Sequence, residues 1–460
     1  MTEIVEGFQK GCCWMAAKPQ RLVLYGIVVA ALILLLFPVH GMGMPTRVRA
    51  LDGGLGLTMS ELAQHLPEIL DLCKAVDFWM ALIGTAIGAP DAAWMYDQAL
   101  RGMLFFLFAP MPFLVHQVYR SGVLAVLSPV LLLIATHRML FHYNDWYFGS
   151  AITLLLGCML LAALLSWQGR RRTWYWIGLV AVGLVASWGN VTRLHAGAGL
   201  SLLALFVAWR VRHHFPQGRR WLAVALSALV LGVTYPVFAP GLPNAFQRYY
   251  GAPAYTSMGP WHSIYIGLGW RKTIEELLEK RGVPIPAVLG FHEGQKDAWK
   301  TGDNPHDIIY LDTCAAAYVE RHDPAHEVGY LTPAYMDILR DRYIAIWVEQ
   351  PGWMLLNYAE KFFVCMVWTV AFAALDAKWI LVLLLLAFVW LRRRGRRIVW
   401  SSRTVYLMPL LYAAFLSLNG MMAVPRTVYL LGSIAGVVMV FLLALFDCLH
   451  SLLQGAESSV

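Results

Sequence analysis

Apolar segments of about 15 to 22 residues recur along the chain, and short, arginine-rich connections separate them. A helix of this length matches the apolar thickness of a bilayer. One long part breaks the pattern, because residues 241–354 are too polar for a bilayer to accommodate. The pattern predicts an all-α polytopic membrane protein with about ten transmembrane helices, interfacial helices and one large non-cytoplasmic insert.

The positions of positive charge predict the orientation of these segments. Arginines cluster in the connections at 170–172, 210–220 and 392–397, and such clusters stay on the cytoplasmic side of a membrane. We therefore expect both termini in the cytoplasm and the large insert in the periplasm of a bacterial cell, with the chain in the inner membrane.

This orientation divides the chain into three predicted parts. The first, residues 1–240, is an N-terminal transmembrane module with an outer loop at 38–100. The second, residues 241–354, is the periplasmic domain. The third, residues 355–460, holds an interfacial segment and further transmembrane helices.

The segment 355–375 leaves the number of spans open. If both 355–375 and 380–391 crossed the membrane, the arginine cluster at 392–397 would lie outside, which is a costly placement. We therefore expect 355–375 to be interfacial or re-entrant, with about ten spans in total. The alternative is a crossing, with eleven.

Two shorter helices are predicted outside the spans. Leu62, Leu66 and Leu70 recur at helical spacing within the first outer loop, with Thr58 or Ser60 as the candidate cap. We expect this amphipathic helix to lie along the membrane surface. A second helix, over 335–349, leads from the insert back to the membrane.

Composition excludes several classes of function. The chain is 59% hydrophobic and 14% charged, against about 25% charged in an average soluble domain. Its net charge of +8 sits in the connections that set orientation, so we expect contact with membrane lipids and no nucleic acid partner. The chain has no phosphate-binding P-loop and no dinucleotide fingerprint, which argues against ATP-driven transport and redox chemistry.

Two aspartates are candidate catalytic residues. Asp52 lies in the glycine-rich run R-A-L-D-G-G, and Asp145 lies at the start of a predicted span. Each has an ordinary explanation, as a turn residue and as a helix cap. Both are predicted at the outer face, where two carboxylates can flank one acceptor or hold a divalent cation, Mg²⁺ or Mn²⁺. No other cofactor is expected.

Basic residues at the same face are candidates for phosphate binding. Arg193 and His195 lie at the outer end of a span, and Arg271 and Lys272 lie within the insert. A guanidinium can donate hydrogen bonds to two phosphate oxygens at once. The alternative to phosphate binding is that Arg193 lies at the membrane interface and contacts lipid headgroups.

The run W-H-S-I-Y-I-G-L-G-W, residues 261–270, is the most distinctive motif of the insert. Its aromatic residues predict a surface that lies on a bilayer or stacks on a sugar ring. An interfacial aromatic belt also explains Trp261, but it does not explain the adjacent pair His262 and Ser263.

This layout resembles that of the C-fold (GT-C) glycosyltransferases, multi-span enzymes that use polyprenyl-phosphate-linked sugars. The resemblance rests on an acidic residue in a first outer loop that also holds an interfacial helix, on a second acidic residue at a span mouth, and on a large outer domain late in the chain. His262 and Gly267 also match the short His-x-x-x-x-Gly pattern of O-antigen ligases and polymerases.

The resemblance implies a glycosyltransferase that moves a sugar from a polyprenyl-phosphate carrier to an acceptor at the outer face. The acceptor would be a saccharide, a lipid or a protein. Asp52 would activate the acceptor hydroxyl, Asp145 would orient the acceptor or a metal ion, and His262 would contact the acceptor or a pyrophosphate.

The same resemblance assigns the binding residues. Arg193 would hold the carrier phosphate, with Arg271 and Lys272 assisting. His195, Trp261 and Ser263 complete the predicted substrate-binding set.

Two hypotheses from other classes of function remain open. A non-enzymatic transporter or flippase for a lipid-linked saccharide would use the same residues for binding alone. A structural subunit of an envelope assembly would depend on the surface of the insert and not on the span mouths.

Replacing Asp52 with Asn should abolish sugar transfer and leave the protein folded, because the amide cannot accept the acceptor's proton. Transfer from a radiolabelled polyprenyl-phosphate sugar to an acceptor measures the effect. Near-normal transfer by D52N would place the base elsewhere.

Overall fold

A computed structural model describes most of the chain. The described residues are 2–37, 53–69, 75–142, 148–167, 172–192, 194–236, 241–252, 261–271, 308, 312–323, 325, 327–329, 332–422 and 427–457.

Helix makes up 88% of the structure, and the described residues contain no strand. In chain order the helices are α1 (Thr2–Ala16), α2 (Pro19–Leu36), α3 (Met59–Ile69), α4 (Ala75–Ile87), α5 (Ala92–Phe108), α6 (Met111–Tyr119), α7 (Gly122–His142), α8 (Phe148–Leu165), α9 (Arg172–Thr192), α10 (Leu194–Val211), α11 (Arg220–Pro236), α12 (Leu242–Tyr249), α13 (Trp261–Ile266), α14 (Asp312–His322), α15 (Pro333–Glu349), α16 (Pro351–Asp376), α17 (Lys378–Arg393), α18 (Arg403–Met422) and α19 (Thr427–Glu457).

Seven helical segments in the described part of the chain are long and apolar enough to cross a membrane. They are Pro19–Leu36, Ala92–Tyr119, Gly122–Leu140, Arg172–Val191, Pro351–Asp376, Arg403–Met422 and Leu430–Gln454. The predicted all-α membrane class is therefore confirmed, but the count of about ten spans is not. Some predicted spans are short: α17 has 16 residues, which amounts to about 24 Å against the roughly 30 Å of a bilayer's apolar core.

The helices form two compact units. Unit 1 comprises Met1–Tyr255, Val370–Leu416 and Leu431–Val460. Unit 2 comprises Thr256–Thr369 and Ser417–Leu430. The predicted three-part division of the chain stays a prediction.

The predicted outer loop at 38–100 contains more helix than expected. Besides α3 it holds α4, and α5 begins at Ala92, about ten residues before the predicted start of the next span. Asp91 sets this start, because its side chain accepts a 2.7 Å hydrogen bond from the backbone N–H of Trp94.

The predicted cap of α3 by Thr58 is confirmed. The Thr58 hydroxyl oxygen accepts from the Glu61 N–H at 3.3 Å, and a Glu61 carboxylate oxygen accepts from the Thr58 N–H at 2.9 Å. This is a reciprocal capping box. The hydrogen bonds from Thr58 hold the pKa of Glu61 below its ordinary value. The predicted helix over 335–349 is also present, as α15, with Thr332 as its cap.

Small residues let the helices of unit 1 pack closely. A Cβ added to Gly197 would lie 2.0 Å from the carbonyl oxygen of Ala186, and one added to Gly26 would lie equally close to that of Ala109. Such backbone approaches are typical of helices that pack inside a membrane, where van der Waals contact contributes much of the attraction.

Residues 355–375 lie within one continuous helix of 26 residues, α16. The described helix has no turn at which the chain could reverse, so the re-entrant form of the prediction is wrong. The interfacial form stays a prediction, since α16 is also long and apolar enough to cross.

Helix α17 runs along α7 in unit 1. The Nε atom of Arg138, near the end of α7, lies 3.6 Å from a carboxylate oxygen of Asp376, which precedes α17. At the far end, Trp390 and Arg393 line the same groove as Leu127, near the start of α7. The arginine cluster at 392–397 therefore lies at the opposite end of α7 from Asp376.

Replacing Gly197 with Ala should lower the free energy of unfolding by about 1–3 kcal/mol, because α9 and α10 must separate to admit the methyl group. Thermal unfolding in detergent measures the change. Gly232 on α11 has no atom within 4 Å of its added Cβ, so Gly232→Ala is the matched control and should leave stability equal or slightly higher. Equal losses in both variants would contradict the close packing.

Candidate functional site

The distinctive run at 261–270 folds as α13 followed by a 3-10 turn over Gly267–Gly269. It packs into the apolar core of unit 2 together with residues of α14, α15 and α16. Ile264, Ile266 and Leu268 are all buried there.

The aromatic residues of this run form a core and not the predicted surface. Tyr265 is 0% exposed and Trp270 is 1% exposed. The ring of Tyr265 packs 5.7 Å from that of Tyr318 on α14. The prediction of an exposed stacking surface is therefore wrong at these two residues, because helices that follow later in the chain cover them. Trp261 is half-buried and its ring lies 5.9 Å from that of Tyr343.

His262 and Ser263 point in different directions. His262 is 8% exposed, and its Nδ1 atom lies 3.0 Å from the hydroxyl of Tyr335 on α15. Ser263 is exposed. The contact ties α13 to α15, which is a sufficient structural reason for a buried histidine. A catalytic contact of His262 with the acceptor stays a prediction.

Lys361 is the most unusual residue of unit 2. It is 0% exposed although it lies on α16, an otherwise strongly apolar helix. Its Nζ atom donates a 2.9 Å hydrogen bond to the carbonyl oxygen of Gly267 and lies 5.1 Å from the centre of the Tyr358 ring. An ionisable group within a membrane helix is costly to bury, so it marks a functional site more often than a structural one.

Asn357 lies one helical turn before Lys361 on the same face of α16. Its Oδ1 atom accepts a 2.7 Å hydrogen bond from Nε1 of Trp270. That contact fixes the orientation of the amide, because the indole can only donate. The Nδ2 atom is then left buried and has no hydrogen-bond partner among the described residues.

Polar residues continue along this face at four-residue intervals. Asn357, Lys361, Cys365 and Thr369 are all buried, and together they form what we call the polar stripe. The Thr369 hydroxyl has no hydrogen-bond partner in the described part of the chain. The four-residue spacing can be read in the sequence, but the burial of these side chains depends on the helices that pack against α16.

Arg271 is balanced by a carboxylate. It forms an ion pair with Glu360, the neighbour of Lys361, and its guanidinium lies 5.8 Å from the centre of the Trp270 ring. Partial burial lowers the pKa of Arg271, but a guanidinium keeps its charge in proteins. The predicted assistance of Arg271 to a phosphate stays a prediction.

Most of the other predicted site residues lie outside the described part of the chain. These are Asp52, Asp145, Arg193 and Lys272, together with the side chain of His195. Among the described residues, no three His, Cys, Asp or Glu side chains come together as a metal site. The predicted pairing of two aspartates around an acceptor or a divalent cation is therefore untested.

No protein-family model, curated protein or solved structure matched the chain.

The polar stripe favours an anionic ligand. Lys361 has three N–H donors and no acceptor, and the Asn357 Nδ2 atom has two donors. Lys361 places a cation beside the Asn357 Nδ2 atom, which has no hydrogen-bond partner among the described residues and can contact an oxygen atom of a ligand. Charge-assisted hydrogen bonds of this kind are about twice as strong as neutral ones.

Replacing Trp270 with Phe should destabilise unit 2 by about 1–3 kcal/mol, since it removes the donor to Asn357 and leaves the whole buried amide without a partner. Thermal unfolding measures the loss, with Trp379→Phe on an exposed tryptophan as the control.

The double variant Trp270→Phe, Asn357→Leu should recover part of this loss, because an apolar pair leaves no unsatisfied amide. Additive losses would show that the indole–amide hydrogen bond contributes nothing.

Proposed function

We propose that this protein is a membrane glycosyltransferase that moves a sugar from a polyprenyl-phosphate carrier to an acceptor. The observation that carries the proposal is the fully buried Lys361 on an apolar helix, one turn from the buried amide donor of Asn357. A phosphate attached to a long apolar chain needs cationic donors that are reached from an apolar environment. In the polar stripe, Lys361 supplies the positive charge and Asn357 supplies a buried amide donor that has no partner among the described residues.

The chemistry requires two kinds of group. The acceptor oxygen attacks the anomeric carbon of the sugar, the bond from that carbon to the phosphate oxygen breaks, and its electron pair stays on the phosphate. The departing phosphate is already a stable anion, so cationic donors are needed to hold it and a strong acid is not. The acceptor hydroxyl must give up its proton, and a carboxylate can take it.

In this proposal Lys361 and the Asn357 amide hold the carrier phosphate. The roles of three residues of unit 1 come from the resemblance to the C-fold enzymes alone: Asp52 would accept the proton, Asp145 would orient the acceptor or a divalent cation, and Arg193 would bind phosphate. The acceptor is a saccharide, a lipid or a protein.

The proposal includes a location. Transfer takes place at the periplasmic face of a bacterial inner membrane, with both termini in the cytoplasm. The support is the distribution of arginine clusters along the chain.

Replacing Lys361 with Met should reduce transfer by about 10²–10³-fold, the usual effect of removing a donor that stabilises developing negative charge. The free energy of unfolding should change little, because the loss of the hydrogen bond to the Gly267 carbonyl oxygen and the removal of a buried ionisable group have opposite effects. The assay uses purified protein with radiolabelled polyprenyl-phosphate sugars, with and without Mg²⁺ or Mn²⁺, and detects a new glycosidic bond. Lys378→Met, on an exposed lysine, is the matched control.

Two outcomes would reject the proposal. Full activity of a folded K361M protein would make the lysine purely structural. Movement of the lipid-linked sugar across vesicles without a new glycosidic bond would make the protein a transporter or flippase.

A further inference from the structure

A second concentration of cationic groups lies in unit 1, around a cavity of about 610 Å³. The connection between α10 and α11, the first turn of α18 and the ends of α6 and α8 surround it. The lining residues are Val118, Leu165, Ser166, Trp209, Arg210, Val211, Arg212, His213, His214, Arg220, Ser401, Ser402, Thr404 and Val405. We call this space the basic cavity.

The arginines of the basic cavity are not neutralised by carboxylates. Among the described residues, Arg210, Arg212 and Arg220 take part in no ion pair. The guanidinium of Arg212 lies over the ring of Trp209, 4.4 Å from its centre, and Arg220 donates a 3.4 Å hydrogen bond to a backbone carbonyl. These partners are neutral, so the positive charge is left uncompensated.

The start of α18 forms another wall of the cavity and supplies neutral hydroxyl groups. Ser402 and Thr404 line the cavity where α18 begins at Arg403. The N–H groups of Thr404 and Val405 donate to the hydroxyl and the carbonyl oxygen of Ser402, and the helix dipole makes this end of the helix positive. This end of α18 therefore adds to the field of the three arginines.

A buried carboxylate holds this wall in place. Asp447 on α19 accepts hydrogen bonds from the backbone N–H and the hydroxyl of Ser401, both at 2.6 Å, and from the hydroxyl of Tyr406 at 2.5 Å. Its negative charge is thereby matched by uncharged donors and not by the arginines of the cavity. The start of α18 is thus fixed before any ligand arrives.

We propose that the basic cavity binds a phosphate group, carried by an anionic lipid headgroup or by a soluble phosphorylated compound. Its volume lies within the usual range of about 300–1,000 Å³ for small-ligand sites, and guanidinium groups bind phosphate through paired hydrogen bonds. The site belongs to unit 1 and is separate from the polar stripe of unit 2. It lies among the connections predicted to be cytoplasmic, so its ligand is distinct from the periplasmic sugar donor of the proposed function.

Arginines in such connections also orient a membrane protein without binding any ligand. The two explanations differ in a measurable way. Orientation depends on the number of positive charges at one face, whereas binding depends on the particular arginines that surround the cavity.

The test compares two variants with the same loss of charge. Arg210→Gln with Arg212→Gln removes two cations from the cavity, and Arg392→Gln with Arg397→Gln removes two exposed arginines outside it. Each purified protein is titrated with inorganic phosphate and pyrophosphate in neutral detergent. Each is also reconstituted in nanodiscs of phosphatidylcholine with and without phosphatidylglycerol, and bound lipid is counted by native mass spectrometry.

The wild type and the 392/397 variant should bind one of these probes, and the 210/212 variant should bind it at least tenfold more weakly. Binding of phosphate or pyrophosphate identifies a soluble ligand, and retention of phosphatidylglycerol alone identifies a lipid headgroup. Equal weakening in both variants, or no binding by the wild type, would overturn the proposal.

If the double variant does not fold, Arg210→Gln alone serves as the test, because Arg210 is exposed and its replacement breaks no contact of the core. Unchanged binding by a folded R210Q protein would then count against the site. Sugar transfer is not part of this readout, so failure here leaves the proposed enzymatic function intact.

Discussion

Unit 2 depends on the pairing of its buried polar groups, and the hydrogen bond from Lys361 to the carbonyl oxygen of Gly267 is the main example. Polar groups in the interior of a membrane protein have no water to contact, so each must find its partner within the protein or a ligand. The same constraint joins Trp270 to Asn357 one turn away. These two contacts hold the run 261–271 against α16, and the Nδ2 atom of Asn357 keeps no hydrogen-bond partner in the described part of the chain.

Unit 1 meets the same constraint in a different way. Its buried hydroxyls bond to carbonyls of their own helices, as Thr136, Thr153 and Ser187 each do four residues back. Some of its tyrosines also join neighbouring helices, as the Tyr412 hydroxyl does by donating to the carbonyl oxygen of Ala196, and glycines such as Gly197 let the backbones touch. The arginines of the basic cavity lie at or next to the ends of α10 and α11.

The two cationic sites therefore differ in physical character. Lys361 is fully buried, and an electrostatic contact is stronger in a buried setting because the local dielectric constant is lower. The arginines of the basic cavity lie in a more polar setting, where several charges and fixed donors must act together to bind a phosphate. A buried single cation suits a transient charge that develops during a reaction, whereas a cluster of exposed cations suits the retention of a stable anion.

The sequence by itself determined the class of the protein and its local structure, because both depend on neighbouring residues. The lengths of the apolar segments predicted a helical membrane protein, and the hydroxyl residues before the apolar periodicity predicted a cap of α3 at Thr58 or Ser60. The sequence did not determine which way the run 261–270 would face. Its aromatic pattern fits a surface as well as a core, and only helices about 50 to 85 residues further along the chain decided the matter by covering Tyr265 and Trp270. The polar stripe is a second case: its spacing can be read in the sequence, but only packing against other helices decides whether a lysine on an apolar helix faces water, lipid or protein.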